Sequence, residues 1–111
     1  MTIEQPLVVL VTAPSEAVAL EIGRTLVEER LAACVNVVPG LTSIYVWEGK
    51  REEASETLLL IKTRPAGYQA LQRRIIELHP YSVPEVLGLP VVEGSAAYVQ
   101  WVHESIPIEG R

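Results

Sequence analysis

Two segments of the chain, LVVLV at residues 7–11 and LLLI at residues 58–61, are apolar at every consecutive position. Each is short and bounded by polar or turn-forming residues, which is typical of a buried strand. Because successive side chains of a strand point to opposite faces of its sheet, such strands need cover on both faces. The fold must therefore place apolar material on each side of one sheet.

The first half of the chain predicts a strand, a helix and a long hairpin. The strand at residues 7–13 stops at a proline, and Ser15 then caps an amphipathic helix with apolar residues four apart. CVNVV is a second strand, broken by Pro39 and Gly40, and LTSIYVW resumes the extended pattern before a turn at EGK. The return strand runs from about residue 52 to residue 63.

The second half predicts a helix, a strand and a short terminal helix. Pro65 opens the second helix, which ends at His79 and Pro80, VLGLPVV is the last strand, and Ser95 caps the terminal helix. The order is β-α-β-β-α-β, which predicts an α+β, ferredoxin-like fold with a short C-terminal helix and a long β-hairpin. We expect a single domain over residues 1–111.

The predicted hairpin has a consequence for assembly. Its arms exceed the usual strand length of about 5–6 residues, so part of it overhangs the sheet and exposes an edge. The two main helices cover one sheet face, and the terminal helix is too short to cover the other alone. Self-association into a closed oligomer would satisfy both the open face and the edge.

Composition limits the class of protein. The apolar runs fall far below the roughly 18 residues that a membrane span needs, and the first residues do not resemble a secretory signal, so we expect a cytoplasmic protein without membrane contact. A net charge of −5 disfavours nucleic acid as a partner. The single cysteine, Cys34, is expected to be a small core residue.

Three strings in the sequence resemble the CutA family of divalent-cation tolerance proteins: VTAPS, RLAACVNVVPGLTSIYVWEGK and HPYSVPEVLGLPVVEGSAAYVQWV. The resemblance extends from about Leu7 to Ser105. It implies a ferredoxin-like subunit in a compact homotrimer, associated with tolerance to copper and other divalent cations. It implies no catalytic reaction.

The resemblance does not extend to every residue that could bind a metal. Some family members have a cysteine where this chain has Val11 and a histidine where it has Leu78, so a thiolate site for Cu(I) is not carried over. His79 and Glu85 remain as candidate metal ligands in LHPYSVPEV, where two prolines fix the backbone. They predict weak binding of Cu2+ or another divalent cation and no obligatory cofactor. The simpler interpretations are a helix C-cap for His79 and a solvated carboxylate for Glu85.

Three further residues are candidates for ligand binding. Tyr81 lies in the same segment, Lys62 is expected to share its cleft, and Trp47 lies near the hairpin turn. An aromatic residue at such a tip more often anchors a protein interface, so we expect Trp47 to contact a neighbouring subunit. No aspartate is present to orient His79 as a base, and we predict that the protein is not an enzyme.

Three functions follow from these features. The first is a homotrimeric divalent-cation tolerance protein that responds to, or weakly binds, copper or other divalent ions. The second is a trimer that binds a small-molecule signal between subunits, by analogy of fold with the PII signalling proteins. The third is a scaffold trimer.

Overall fold

The computed structural model describes residues 4–108. Within this range the helices and strands follow the predicted order, with a short 3-10 helix before the second α-helix. Their bounds are β1 Leu7–Ala13, α1 Glu16–Glu28, β2 Cys34–Trp47, β3 Lys50–Thr63, the 3-10 helix Pro65–Gly67, α2 Tyr68–Leu78, β4 Leu87–Pro90 and α3 Ala96–Ser105.

The strands form one four-stranded sheet in the order β2-β3-β1-β4, and every neighbouring pair is antiparallel. The helices α1 and α2 follow the first and third strands as crossover connections, so the predicted α+β, ferredoxin-like fold is confirmed. Within the described residues, no helix has the length and apolar character needed to cross a membrane.

The hydrophobic core lies between the sheet and the two long helices. Every second residue of β1 from Val9 to Ala13 is fully buried, and α1 and α2 supply the other side. The helical residues share near-complete burial: Ala19, Ile22, Leu26, Leu71 and Ile75. The spacing of three and four along each helix explains why these side chains share one stripe.

The opposite sheet face is only partly covered. Its residues alternate with the core positions, and several of them are large, apolar and exposed: Val38 is 42% exposed, Leu87 54% and Leu89 46%. The helix α3 packs at one end of the domain, where Val102 and Ile106 are buried beside Ala33. The sheet therefore has one filled face and one face that lacks a complete cover within the chain.

The hairpin overhangs the sheet as predicted. Only Thr57–Thr63 of β3 pairs with β1, whereas β3 pairs with β2 from Lys50 to Lys62. Its two turn residues, Glu48 and Gly49, have φ of 50° and 81°. Positive φ at both positions is the pattern of a type I′ turn, which matches the right-handed twist of the two strands.

The predicted break in β2 is a bulge instead. The strand β2 continues through Pro39 and Gly40, but the register of its pairing with β3 shifts by one residue between Val38, which faces Leu58, and Leu41, which faces Glu56. Gly40 has a φ of 87°, which a residue with a side chain rarely adopts. The two residues that interrupt the sequence pattern thus bend the strand without ending it.

Cys34 also differs from its prediction. Its side chain is half-buried and belongs to the open sheet face, in the register position opposite Lys62. Burial and the neighbouring Cys34 raise the pKa of Tyr98, which places that ring of α3 beside the thiol. A fully buried core position for this cysteine is not found within the chain.

Candidate functional site

The end of α2 fixes the position of His79. Pro80 disfavours a helical conformation at the residue before it, and His79 accordingly has extended backbone angles of −82° and 138°. Its N–H still donates to the carbonyl oxygen of Ile75 at 2.9 Å, so His79 occupies the C-cap position. Its side chain is only 7% exposed.

Both ring nitrogens of His79 contact the backbone. Nε2 lies 2.8 Å from the carbonyl oxygen of Thr12, and Nδ1 accepts the N–H of Tyr81 at 3.1 Å. Because a carbonyl oxygen only accepts, Nε2 carries the proton and Nδ1 presents its lone pair to Tyr81. A metal at either nitrogen would have to displace one of these hydrogen bonds. The role of His79 as a metal ligand stays a prediction, and this geometry counts against it.

Tyr81 connects the same segment to the hairpin. Its hydroxyl donates to Oε2 of Glu56 at 2.7 Å, and the Glu56 side chain is 7% exposed. Burial, followed by the hydrogen bond and the negative charge of Glu56, raises the pKa of Tyr81 to about 12. Tyr81 therefore remains a neutral donor at physiological pH, and Glu56 keeps its acceptor role.

A cleft of 630 Å³ lies between the base of the hairpin and the segment after α2. Its volume falls within the roughly 300–1,000 Å³ of small-molecule sites. Ten residues line it: Thr12, Ser43, Ile44, Tyr45, Trp47, Glu56, Tyr81, Ser82, Val83 and Glu85. Among these described residues the two charged side chains, Glu56 and Glu85, are both carboxylates. Three others are aromatic: Tyr45, Trp47 and Tyr81.

The bulge in β2 places Tyr45 and Trp47 on the same sheet face as Glu56. Directly opposed residues of antiparallel strands share a face, and before the bulge it is Val35 and Val37 that pack toward the core. The one-residue shift moves the odd-numbered positions after it to the opposite face, together with Glu56. Tyr45 and Trp47 therefore line the cleft because Pro39 and Gly40 interrupt the alternation.

The structure brings together three of the five predicted site residues. Trp47, Tyr81 and Glu85 line the cleft, whereas His79 lies behind its wall, bound to backbone groups. Lys62 is not among the lining residues. Its ammonium donates to Oδ1 of Asn36, at the other end of the open face. The expectation that Lys62 shares the cleft is therefore not met in this chain.

Sequence reasoning missed Glu56. Glu56 lies two residues before the apolar run at residues 58–61, and its partner Tyr81 lies 25 residues away. An alternating pattern places Glu56 on one face of the sheet. It does not show that the segment after α2 brings Tyr81 to that position. Tyr45, two residues before Trp47 and near the same turn, was a further candidate for stacking on a ligand, and it does line the cleft.

The side chains present fit an oxygen-rich divalent site better than a thiolate site. Val11 is fully buried in the core, and Leu78 packs against that core. Both side chains are apolar, so neither position can bind a metal. Within residues 4–108 no group of three or more His, Cys, Asp or Glu side chains is arranged to hold a metal ion. Glu56 and Glu85 could supply carboxylate ligands, with any further ligands from solvent or a second subunit.

These features define a class: small ferredoxin-like proteins with an overhanging hairpin, one incompletely covered sheet face and an acidic, aromatic cleft at the hairpin base. Residues 7–105 match the sequence profile of the family described as CutA1 divalent ion tolerance protein. The chain belongs to this family.

Individual relatives agree with that assignment. The divalent-cation tolerance protein CutA of Thermus thermophilus is 55% identical over 98 residues, which are 88% of this chain and 95% of that protein. Human protein CutA is 53% identical over 94 residues, 85% of this chain. The aligned part is 52% of the human protein, so this chain spans about half of its length.

Solved structures show the same fold. The chain is similar to the divalent cation tolerance protein Cut A1 from Thermus thermophilus, with a TM-score of 0.90 and 53% identity over 92% of this chain and 99% of that one. It is also similar to CutA from Xylella fastidiosa, with a TM-score of 0.91 and 40% identity over 93% and 99% of the two chains. The shared fold therefore extends over more than nine-tenths of this chain.

Proposed function

We propose that this protein is a homotrimeric divalent-cation tolerance protein that responds to copper or other divalent ions and binds them weakly at the carboxylates of the cleft. The observation that carries the proposal is the charge of the cleft. Glu56 and Glu85 face the same space, and no cationic side chain lines it among the described residues. A divalent ion would neutralise this charge, and two carboxylates per chain make a weak site.

The trimer is supported by the exposed sheet face. Large apolar side chains on this face are exposed to solvent: Leu87, Leu89 and Val38. The hairpin also extends beyond the part of β3 that pairs with β1. Burying such surfaces between copies is favourable at about 25 cal/mol per Å² of apolar area. A closed arrangement removes the free edges that would otherwise invite aggregation.

A second candidate function is the binding of a small molecule in the cleft. Its volume of 630 Å³ exceeds what an ion alone would occupy, and it is lined by rings as well as carboxylates. The third interpretation, a scaffold trimer, would use the same exposed surfaces without a ligand. The proposal includes no reaction, and the predicted cytoplasmic location stays a prediction.

Two measurements test the proposal. Light scattering at micromolar concentration should give three times the chain mass, and a monomer would remove the argument from the open sheet face. Calorimetric titration with Cu(II) should then show weak binding that falls in Glu85→Gln and Glu56→Gln. The matched control is Glu21→Gln, an exposed carboxylate on α1 away from the cleft. Equal affinity in all four proteins would overturn the metal site.

A further inference from the structure

The inner part of the cleft combines aromatic rings with carboxylates. Tyr45 and Tyr81 present aromatic rings, and Glu56 and Glu85 present carboxylates, to the same space. Tyr45 is 45% exposed and Tyr81 38% exposed, so both rings retain open surface. The face of an aromatic ring is electrically negative, because of the ring's quadrupole, and it attracts a cation within about 6 Å of the ring centroid.

The charge of this region is not neutralised inside the chain. Within residues 4–108 neither Glu56 nor Glu85 takes part in a salt bridge. The Tyr81 hydroxyl donates to Glu56 but brings no positive charge. Glu52 lies opposite Tyr45 in the strand register, and adds to the negative charge. The region therefore has acceptors and negative potential without a counterion.

The outer end of the cleft differs from the inner part. Lys50 lies opposite Trp47 at the hairpin tip, so a cation there meets a like charge. Thr12, Ser43 and Ser82 line other parts of the wall with hydroxyl oxygens. A donor group bound between the two tyrosines would find carboxylate and hydroxyl acceptors around it, with apolar surface from Ile44 and Val83 alongside.

We propose that the inner cleft, between Tyr45 and Tyr81 and beside Glu56 and Glu85, is a binding site for a small organic cation, a primary amine with an apolar body. The ammonium group donates to the carboxylates and lies against the rings, and the body fills the remaining volume. Anions of the same shape are repelled, and neutral analogues leave the carboxylates without a counterion. The inference shares the cleft of the proposed function and does not depend on the metal. It requires that the inner cleft stay open in the proposed trimer.

Calorimetry or ligand-observed NMR with three probes of similar shape tests the charge preference: phenethylammonium, 2-phenylethanol and 3-phenylpropanoate. A chelator is present throughout, so a failure of metal binding cannot be mistaken for a failure of amine binding. We expect the amine to bind roughly tenfold more tightly than the alcohol, from charge-assisted hydrogen bonds and cation–π contact. The carboxylate should not bind measurably.

Variants then locate the site. Glu85→Gln and Tyr45→Leu should each weaken amine binding several-fold, and Glu21→Gln should leave it unchanged. Circular dichroism and light scattering establish that each variant keeps the parent's fold and mass. Equal affinity for amine and alcohol would overturn the inference. So would the absence of binding to folded parent protein, which is the expected result if a neighbouring copy of the chain fills the cleft.

Discussion

The hydroxyl of Tyr81 donates a 2.7 Å hydrogen bond to Oε2 of Glu56 and thereby joins the segment after α2 to the base of the hairpin. The same segment is bound to β1 through His79 and the carbonyl oxygen of Thr12. Two side chains, two residues apart, thus attach one wall of the cleft to two different strands. This arrangement gives the wall a fixed position even though much of its surface is exposed.

The first prediction concerns the ionisation of Tyr81, whose pKa is raised to about 12 from an ordinary 10.0. Because the folded value lies above the unfolded one, its contribution to stability is fully present below pH 10 and is lost as the pH rises toward 12. Glu56→Gln keeps an acceptor for the hydroxyl and removes the charge, so it should lower the Tyr81 pKa.

Tyrosinate absorbance during alkaline titration measures this change. Tyr81→Phe identifies which ionisation step belongs to Tyr81 among the four tyrosines. If the step assigned in this way had the same midpoint in the parent and in Glu56→Gln, the carboxylate would not contribute to the shift.

The second prediction separates the structural role of His79 from a role in metal binding. His79→Ala removes the partners of Thr12 and Tyr81, and each unsatisfied backbone group costs about 1–3 kcal/mol where it stays buried. We expect a clear loss of unfolding free energy in denaturant titrations. Copper affinity, measured where the variant is still folded, should fall less than in Glu85→Gln. A larger loss in His79→Ala would restore the imidazole as a ligand.

The third prediction concerns the hairpin turn. Gly49 has a φ of 81° and Glu48 a φ of 50°, and a residue other than glycine pays roughly 1–2 kcal/mol in the left-handed region. Gly49→Ala should therefore speed amide hydrogen exchange in the overhanging arms, whereas Glu48→Asn should slow it, since asparagine tolerates this conformation. Exchange in β1 serves as the internal control. Unchanged rates in the arms of both variants would show that the turn does not limit their opening.

The order of helices and strands was predictable from the sequence because it depends on local patterns. Apolar runs, the proline after β1 and the cap at Ser15 each act within a few residues. The ends of the hairpin arms and the bulge were harder to predict from the sequence, since Pro39 and Gly40 are equally compatible with a break in the strand. Only the pairing of Val38 with Leu58 and of Leu41 with Glu56 shows that the strand continues.

The site was predictable only in part, for a related reason. The segment LHPYSVPEV contains site-forming side chains, and Tyr81 and Glu85 do line the cleft. The direction in which His79 points depends on Thr12, which is 67 residues away. The open sheet face likewise supports the proposed self-association, but a sequence pattern does not say which surface covers it.

The last prediction returns to Trp47, which is 52% exposed at the hairpin tip. If the trimer covers the overhanging hairpin, as proposed, Trp47 packs against a neighbouring subunit, and its truncation would cost about 2 kcal/mol or more at an interface hot spot. Trp47→Ala should therefore dissociate at higher protein concentration than the parent, measured by sedimentation or light scattering over a dilution series. Val27→Ala is the matched control, because Val27 is 41% exposed on α1, on the helical side of the sheet. A Trp47→Ala protein that stayed as trimeric and as stable as the parent would leave the ring free to contact a ligand in the cleft.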